Sequence, residues 1–283
     1  MSTVSSEIYK ETNFERIKSA DGKVISKFKF CYPTEEADYK NSPPKAAVDK
    51  DGDFQVCRQP KAGTAAIEVE HSEETEIRLV GLQVWRGALL LADYLFHCRK
   101  EFEHKNILEL GAGVGLTSIA AAVYVKQVVC TDVDLGGILN LIRANVQRNA
   151  RLLSGNVEVL EYDFFKLLKD YTPALIKAID ESDIVLAADV IYDDDLTDAF
   201  IRVIDSIFER QSVTGKSKTI YVALEKRYVF TFSEFDAVAP MFEYFIKQTL
   251  NKTWHFEYIK LDFPQYFEYE RCRELVLLKL TNI

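Results

Sequence analysis

The chain has 283 residues, 48% hydrophobic and 12% aromatic, enough to bury the core of one α/β enzyme domain with an extension attached. A net charge of −9 with no long Lys/Arg cluster argues against direct contact with a nucleic-acid backbone and suits a basic polypeptide better. Five scattered cysteines (Cys31, Cys57, Cys98, Cys130, Cys272) show no metal-ligand spacing, so no zinc, other metal or disulfide is expected, and no stretch approaches the ~20 uninterrupted apolar residues of a membrane helix.

Cys130 and Cys272 read as small buried hydrophobes. The amino-terminal stretch has no apolar run behind a basic end, and the expectation is a soluble, intracellular monomer.

Up to about Thr75, short apolar runs such as 24–32 flank a polar, proline-bearing stretch at 34–63, which predicts an extension of one or two strands and a mobile loop. Asp49-Lys50-Asp51-Gly52-Asp53 has the look of a calcium loop. Phe54 and Pro60 stand where such a loop needs Gly and Glu, so a charged turn is expected. The division is an extension over 1–75 and a catalytic domain over 76–283.

In the second part strand-like and helix-like periods alternate, the mark of a parallel sheet covered by helices. Residues 77–82 read as a strand or extended lead-in and 85–98 as a helix. Strands are predicted at 107–110, 128–131, 157–161, 184–188 and 219–224, and helices at 116–123, up to 149, at 196–210 and at 233–249. The last two strand-like runs, 256–261 and 274–280, have only 262–273 with Pro264 between them. That leaves no room for a crossover helix and favours an antiparallel hairpin.

The segment Glu109-Leu110-Gly111-Ala112-Gly113-Val114-Gly115 takes a buried strand through three alternating glycines into a helix, so a ligand can approach the backbone without meeting Cβ atoms. A dinucleotide fingerprint would place glycine at Leu116, which disfavours NAD. Glu109 at the tip of one strand and Asp132 at the end of the next converge on the same sheet edge, where a carboxylate can accept both ribose hydroxyls. Asp163 fits either an adenine-edge contact or an ordinary turn cap.

With Asp132, this segment resembles the cofactor motif of class I methyltransferases. The likeness implies a Rossmann-like seven-stranded, mostly parallel sheet with helices on both faces. It also implies S-adenosylmethionine as cofactor, with Gly111, Gly113 and Gly115 under its methionine part, Glu109 near the amino group, Asp132 on the ribose and Asp163 by the adenine.

Two further segments, Gly81-Leu82-Gln83-Val84-Trp85-Arg86-Gly87-Ala88 and Ala187-Ala188-Asp189-Val190-Ile191-Tyr192, are similar to the group 16 lysine methyltransferase family. The second carries that family's D/E-x-x-Y/F motif. By the resemblance Trp85 and Ala188 adjoin the cofactor, while Asp189 and Tyr192 are the catalytic pair, holding and shaping the slot for the acceptor amine. The substrate implied is a non-histone, nucleic-acid-associated protein presenting a lysine, in the nucleus or cytoplasm.

Plainer readings stand beside these. Trp85 also suits a core anchor at a helix start, Glu225-Lys226-Arg227 either an acceptor channel or a solvated loop, and Asp195 a helix cap. The rival functions are methyl transfer to a small molecule or another protein atom, and an idle methyltransferase fold used for binding.

Overall fold

Runs of aliphatic residues with both faces buried make the strands of a central sheet. In the computed structural model, which describes residues 3–11, 15–19, 22–33, 62–231 and 236–282, adjacent residues of each run point into different cores. Ile107, Val128, Ile184 and Tyr221 pack on one side, and Leu108, Val129, Val185 and Ile220 on the other.

The strands are β1 Thr3–Val4, β2 Arg16–Lys18, β3 Val24–Tyr32, β4 Ala62–His71, β5 Thr75–Glu76, β6 Asn106–Leu110, β7 Gln127–Asp132, β8 Asn156–Glu161, β9 Ile184–Ala188, β10 Thr219–Glu225, β11 Val229–Thr231, β12 Asp236–Val238, β13 Trp254–Tyr258 and β14 Leu275–Asn282. The helices are α1 Ile8–Glu11, α2 Arg86–His97, α3 Arg99–Phe102, α4 Leu116–Ala122, α5 Ile138–Arg148, α6 Pro173–Glu181, α7 Asp194–Thr214 and α8 Pro240–Thr249.

The seven-stranded sheet runs β13-β14-β10-β9-β6-β7-β8. Its members from β10 to β8 are mutually parallel, while β14 is antiparallel to both β10 and β13. The chain leaves β6 toward β7 and β8 and later returns to the other side through β9 and β10. That reversal between β6 and β9 opens a crevice at the carboxyl ends of the strands.

Helices α2, α4 and α5 cover one face and α6, α7 and α8 the other. The antiparallel sheet β2-β3-β4 adds Phe28, Phe30, Ile67 and Val69 to the first core. Cys130 and Cys272 are buried as expected.

The structure corrects several sequence expectations. Residues Ile77–Leu82 form a 3-10 segment kinked at Leu79, where a strand or extended lead-in was expected, and 78–82 line the cavity. The last long helix begins at Pro240, not 233, since Asp236–Val238 pair with β11. The amino-terminal region holds more than one or two strands, and α6 was not foreseen.

Residues 77–97 are, by length and mean hydropathy, apolar enough to cross a membrane, although Arg78, Gln83, Arg86 and Asp93 interrupt the run. They are not one helix: the 3-10 segment and α2 are separated at Gln83–Trp85, and most of the stretch is buried against the sheet. The fragment at 49–53, Cys57 and most of the stretch called a mobile loop lie outside the described residues.

Candidate active site

At the switch point the ends of β6, β7 and β9 surround a cavity of about 410 Å³. Trp85, Glu109, Gly111, Gly113, Asp132, Asp163, Ala188, Asp189 and Tyr192 all line it. Gly115 does not. It stands one step behind, in a left-handed conformation, as the residue that starts α4.

The floor needs glycine for two reasons. Gly111 and Gly113 have φ of 64° and 58°, a region other residues rarely occupy. A Cβ on Gly111 would stand 2.7 Å from Val190 Cγ1, and one on Gly113 2.9 Å from the Gly81 carbonyl. The loop is held from below: Gly113 N–H donates to Asp132 Oδ2 at 2.7 Å, and Val133 N–H to Asp132 Oδ1 at 2.8 Å.

Burial pushes the Asp132 carboxyl up to about 6, against those two N–H donors. Each oxygen accepts one bond and keeps a second lone pair, which suits paired hydroxyls that arrive as donors. Glu109 is deeper, 1% exposed, and accepts from Ser118 Oγ. Burial raises it to about 7 despite bonds from the first turn of α4, which has no side-chain cap of its own.

Asp189 is held on every side. Its φ is 53°, its N–H donates to the Ala223 carbonyl at 2.8 Å, and its two oxygens accept from Gly87 N–H at 2.7 Å and Glu225 N–H at 3.0 Å. It therefore ties the first turn of α2 to the end of β10. Burial raises its carboxyl, opposed by the charge of Arg227. Tyr192 stands 37% exposed at the mouth, and burial of its hydroxyl lifts it to about 12.

Trp85 precedes α2, with its ring N–H on the Val80 carbonyl at 3.0 Å and the Arg227 guanidinium 4.4 Å from its ring centroid. Glu225, Lys226 and Arg227 are neither cavity-lining nor merely solvated: Glu225 pairs with Arg86, and Lys226 lies 4.5 Å over Phe242. Asp163 is a turn former, accepting the Phe165 N–H at 3.0 Å, and also faces the cavity. Asp193, not Asp195, caps α7, because its carboxylate reaches the Leu196 N–H at 3.0 Å while Asp194 and Asp195 lie inside the helix.

Phe164, the aromatic adjoining Asp163 that the resemblance places by the adenine, lines the cavity, but sequence reasoning missed much of the rest of the apolar wall, including Leu79, Val133, Leu135 and Phe165. The aromatic pair after β8 was the available signal. These surfaces suit a flat purine ring beside the hydroxyl-accepting carboxylate, so cradle, acid and wall fit S-adenosylmethionine.

A parallel sheet reversed at β6/β9, closed by antiparallel β14, with this cavity at its edge, defines an S-adenosylmethionine-dependent methyltransferase. A family model described as lysine methyltransferase matches residues 65–238, and the chain belongs to that family. It is 34% identical to methyltransferase-like protein 22 of Mus musculus, over 83% of this chain and 72% of that protein, and 31% identical to the Homo sapiens protein of the same name, over 83% and 71%. It is also 28% identical to the Mus musculus protein-lysine N-methyltransferase EEF2KMT, over 71% of this chain and 58% of the relative.

Proposed function

We propose that the chain is a protein-lysine N-methyltransferase whose acceptor is a lysine of a non-histone protein. Family membership and the protein-lysine activity in the name of the EEF2KMT relative support the lysine. The observation that carries the reading is that Asp189 and Tyr192 line the same cavity as the Gly111–Gly113 cradle and Asp132.

Attack requires a neutral amine, and with an ordinary lysine pKa near 10.4 only about one side chain in two or three thousand is neutral at pH 7. S-adenosylmethionine, when bound, supplies an electrophilic methyl group on a sulfonium sulfur. Trp85 and Tyr192 offer aromatic walls that strip water from an incoming aliphatic stem, which lowers the amine pKa. Tyr192 keeps its own proton at neutral pH, so it orients by hydrogen bonding and does not act as base. Asp189, its oxygens already each holding a backbone N–H, positions the α2 and β10 ends and offers its remaining lone pairs to the amine. The proton departs to water.

The test is incubation of purified protein with a methyl-labelled cofactor and a cell lysate, followed by mass spectrometry. Label on protein lysines outside the histones is expected, and Asp189→Ala should abolish it. Label confined to metabolites or histones would overturn the reading. Asp132→Ala should lose cofactor affinity by calorimetry.

A further inference from the structure

Gln83, Val84 and Trp85 form one lip of the cavity, yet they lie between helical segments and have no ladder of their own to fix them. Beside the Val80 carbonyl, which receives the Gln83 N–H and the Trp85 ring N–H, part of what fixes them comes from residues 3–11, outside the stretch that the family model matches. Strand β1 pairs with β5 through Thr3 with Glu76 and Val4 with Thr75, and Ser5 Oγ donates to the Glu73 carbonyl at 2.7 Å.

The Gln83 side chain, 2% exposed, is fully engaged: its oxygen accepts Ser6 N–H at 2.8 Å, and its amide donates to the Val4 carbonyl at 3.0 Å and to Thr75 Oγ1 at 2.7 Å. Val84 N–H donates to the Tyr9 hydroxyl at 2.7 Å. Just past Trp85, Arg86 forms ion pairs with Glu11 and, at 3.4 Å, with Glu7. Trp85 is thus pinned from both flanks by one short segment. Tyr9 is itself fixed, its ring stacked on His71 at 4.7 Å.

We propose that residues 3–11 are a strap that sets the cofactor-binding lip, with Tyr9 and Gln83 as positioning residues for Trp85. The inference rests on reading this cavity as the cofactor pocket. Without the strap's bonds the backbone at 83–84 loses its outer anchors, and Trp85 is held less firmly by the Val80 and Arg227 contacts that remain.

Tyr9→Phe is the sharpest variant, because it keeps the buried ring and its stacking and removes only the oxygen that receives the Val84 N–H. Gln83→Leu removes the other anchor at similar volume. With Trp254→Phe as background, Trp85 is the one remaining tryptophan and its fluorescence reports the lip. Asn149→Ala, at the buried residue just past the end of α5 and away from the cavity lining, serves as a control for general loss of stability.

Each strap variant should weaken cofactor binding about tenfold by calorimetry, raise the cofactor KM with kcat nearly unchanged, and alter the Trp85 spectrum. Asn149→Ala should do none of these at a comparable fall in melting temperature. Unchanged affinity in Tyr9→Phe and Gln83→Leu, or equal weakening by Asn149→Ala, overturns the strap. If Asp132→Ala binds cofactor normally, the pocket reading itself fails; if Asp132→Ala loses binding while the strap variants keep it, only the strap does.

Discussion

Gly87 shows how one missing side chain can hold a site together. A Cβ there would stand 2.5 Å from Asp189 Oδ2 and 3.1 Å from the Ala223 carbonyl, so Gly87→Ala must push Asp189 off the start of α2. A loss of about 1–3 kcal/mol is expected by urea denaturation, with methyl transfer falling alongside. An alanine variant as stable as the parent would refute the contact.

Glu109 makes a different kind of prediction at the same scale. Its folded pKa of about 7 lies above the ordinary 4.5, so the folded protein holds this proton more tightly than the unfolded chain does. The stability it contributes is present below pH 4.5 and lost as pH rises through 7. Glu109→Gln mimics the protonated form. Without cofactor, its unfolding free energy in urea should lie close to the parent's near pH 5 and exceed it near pH 8 by an amount on the order of 2 kcal/mol. A difference that is constant with pH would rule this out.

The residue types at strand ends were legible, since alternating glycines and acids ending neighbouring strands stand out by spacing and do line one cavity. Their partners were not: Asp189 meets Gly87 across 102 positions, and no local pattern carries that information.

At the scale of elements, α5 closes the open edge of β4 with side chains in place of a strand. Asn145 Oδ1 accepts Glu70 N–H at 2.8 Å and its amide donates to the Glu70 carbonyl at 3.0 Å, while Asn149 does the same for Glu68 at 2.8 and 2.7 Å. The fit follows from geometry, since four helical residues rise about 6 Å and two strand residues about 6.6 Å. Asn149→Ala leaves the half-buried Glu68 N–H and carbonyl without these partners and should cost about 1–3 kcal/mol in denaturant unfolding. A change below a few tenths would show that water replaces the amide. Such a device cannot be read from sequence, because asparagines in a helix usually face solvent. Helix α6 had a readable start in Thr172-Pro173, with Thr172 Oγ1 accepting Leu175 N–H at 3.2 Å, but only Leu175 and Ile179 are buried, too few for a clear period. The alternating glycine loop between β6 and α4, by contrast, was plain from spacing alone.

Across the whole molecule, β13 and β14 pair antiparallel as the short gap predicted, and the connection between them is also an arm that fastens the amino-terminal sheet to the catalytic fold. Phe267 bridges to Phe30 of β3 and packs on Phe96 of α2. The arm is anchored on Asp93, fully buried on α2, whose Oδ1 accepts Tyr266 and Phe267 N–H at 2.7 and 2.9 Å and whose Oδ2 accepts the Tyr269 hydroxyl at 2.9 Å and Arg271 Nη2 at 2.5 Å. Arg271 in turn donates to the Phe263 carbonyl at 2.7 Å and is 3% exposed. A buried pair of this kind adds little over a well-packed apolar pair, since desolvation offsets most of the attraction, but either charge left alone is costly. Arg271→Met should therefore destabilise by about 3–5 kcal/mol, because it strands the Asp93 carboxyl in the core. Two of that carboxylate's four bonds come from backbone N–H groups, so Asp93→Leu carries the further cost of orphaning them. The double variant Asp93→Leu/Arg271→Met should consequently lose less than the sum of the two single losses, a coupling that equilibrium unfolding of all four proteins would measure. Additive losses would mean that the two groups act independently, and that the arm is held by its aromatic packing on Phe30 and Phe96 instead.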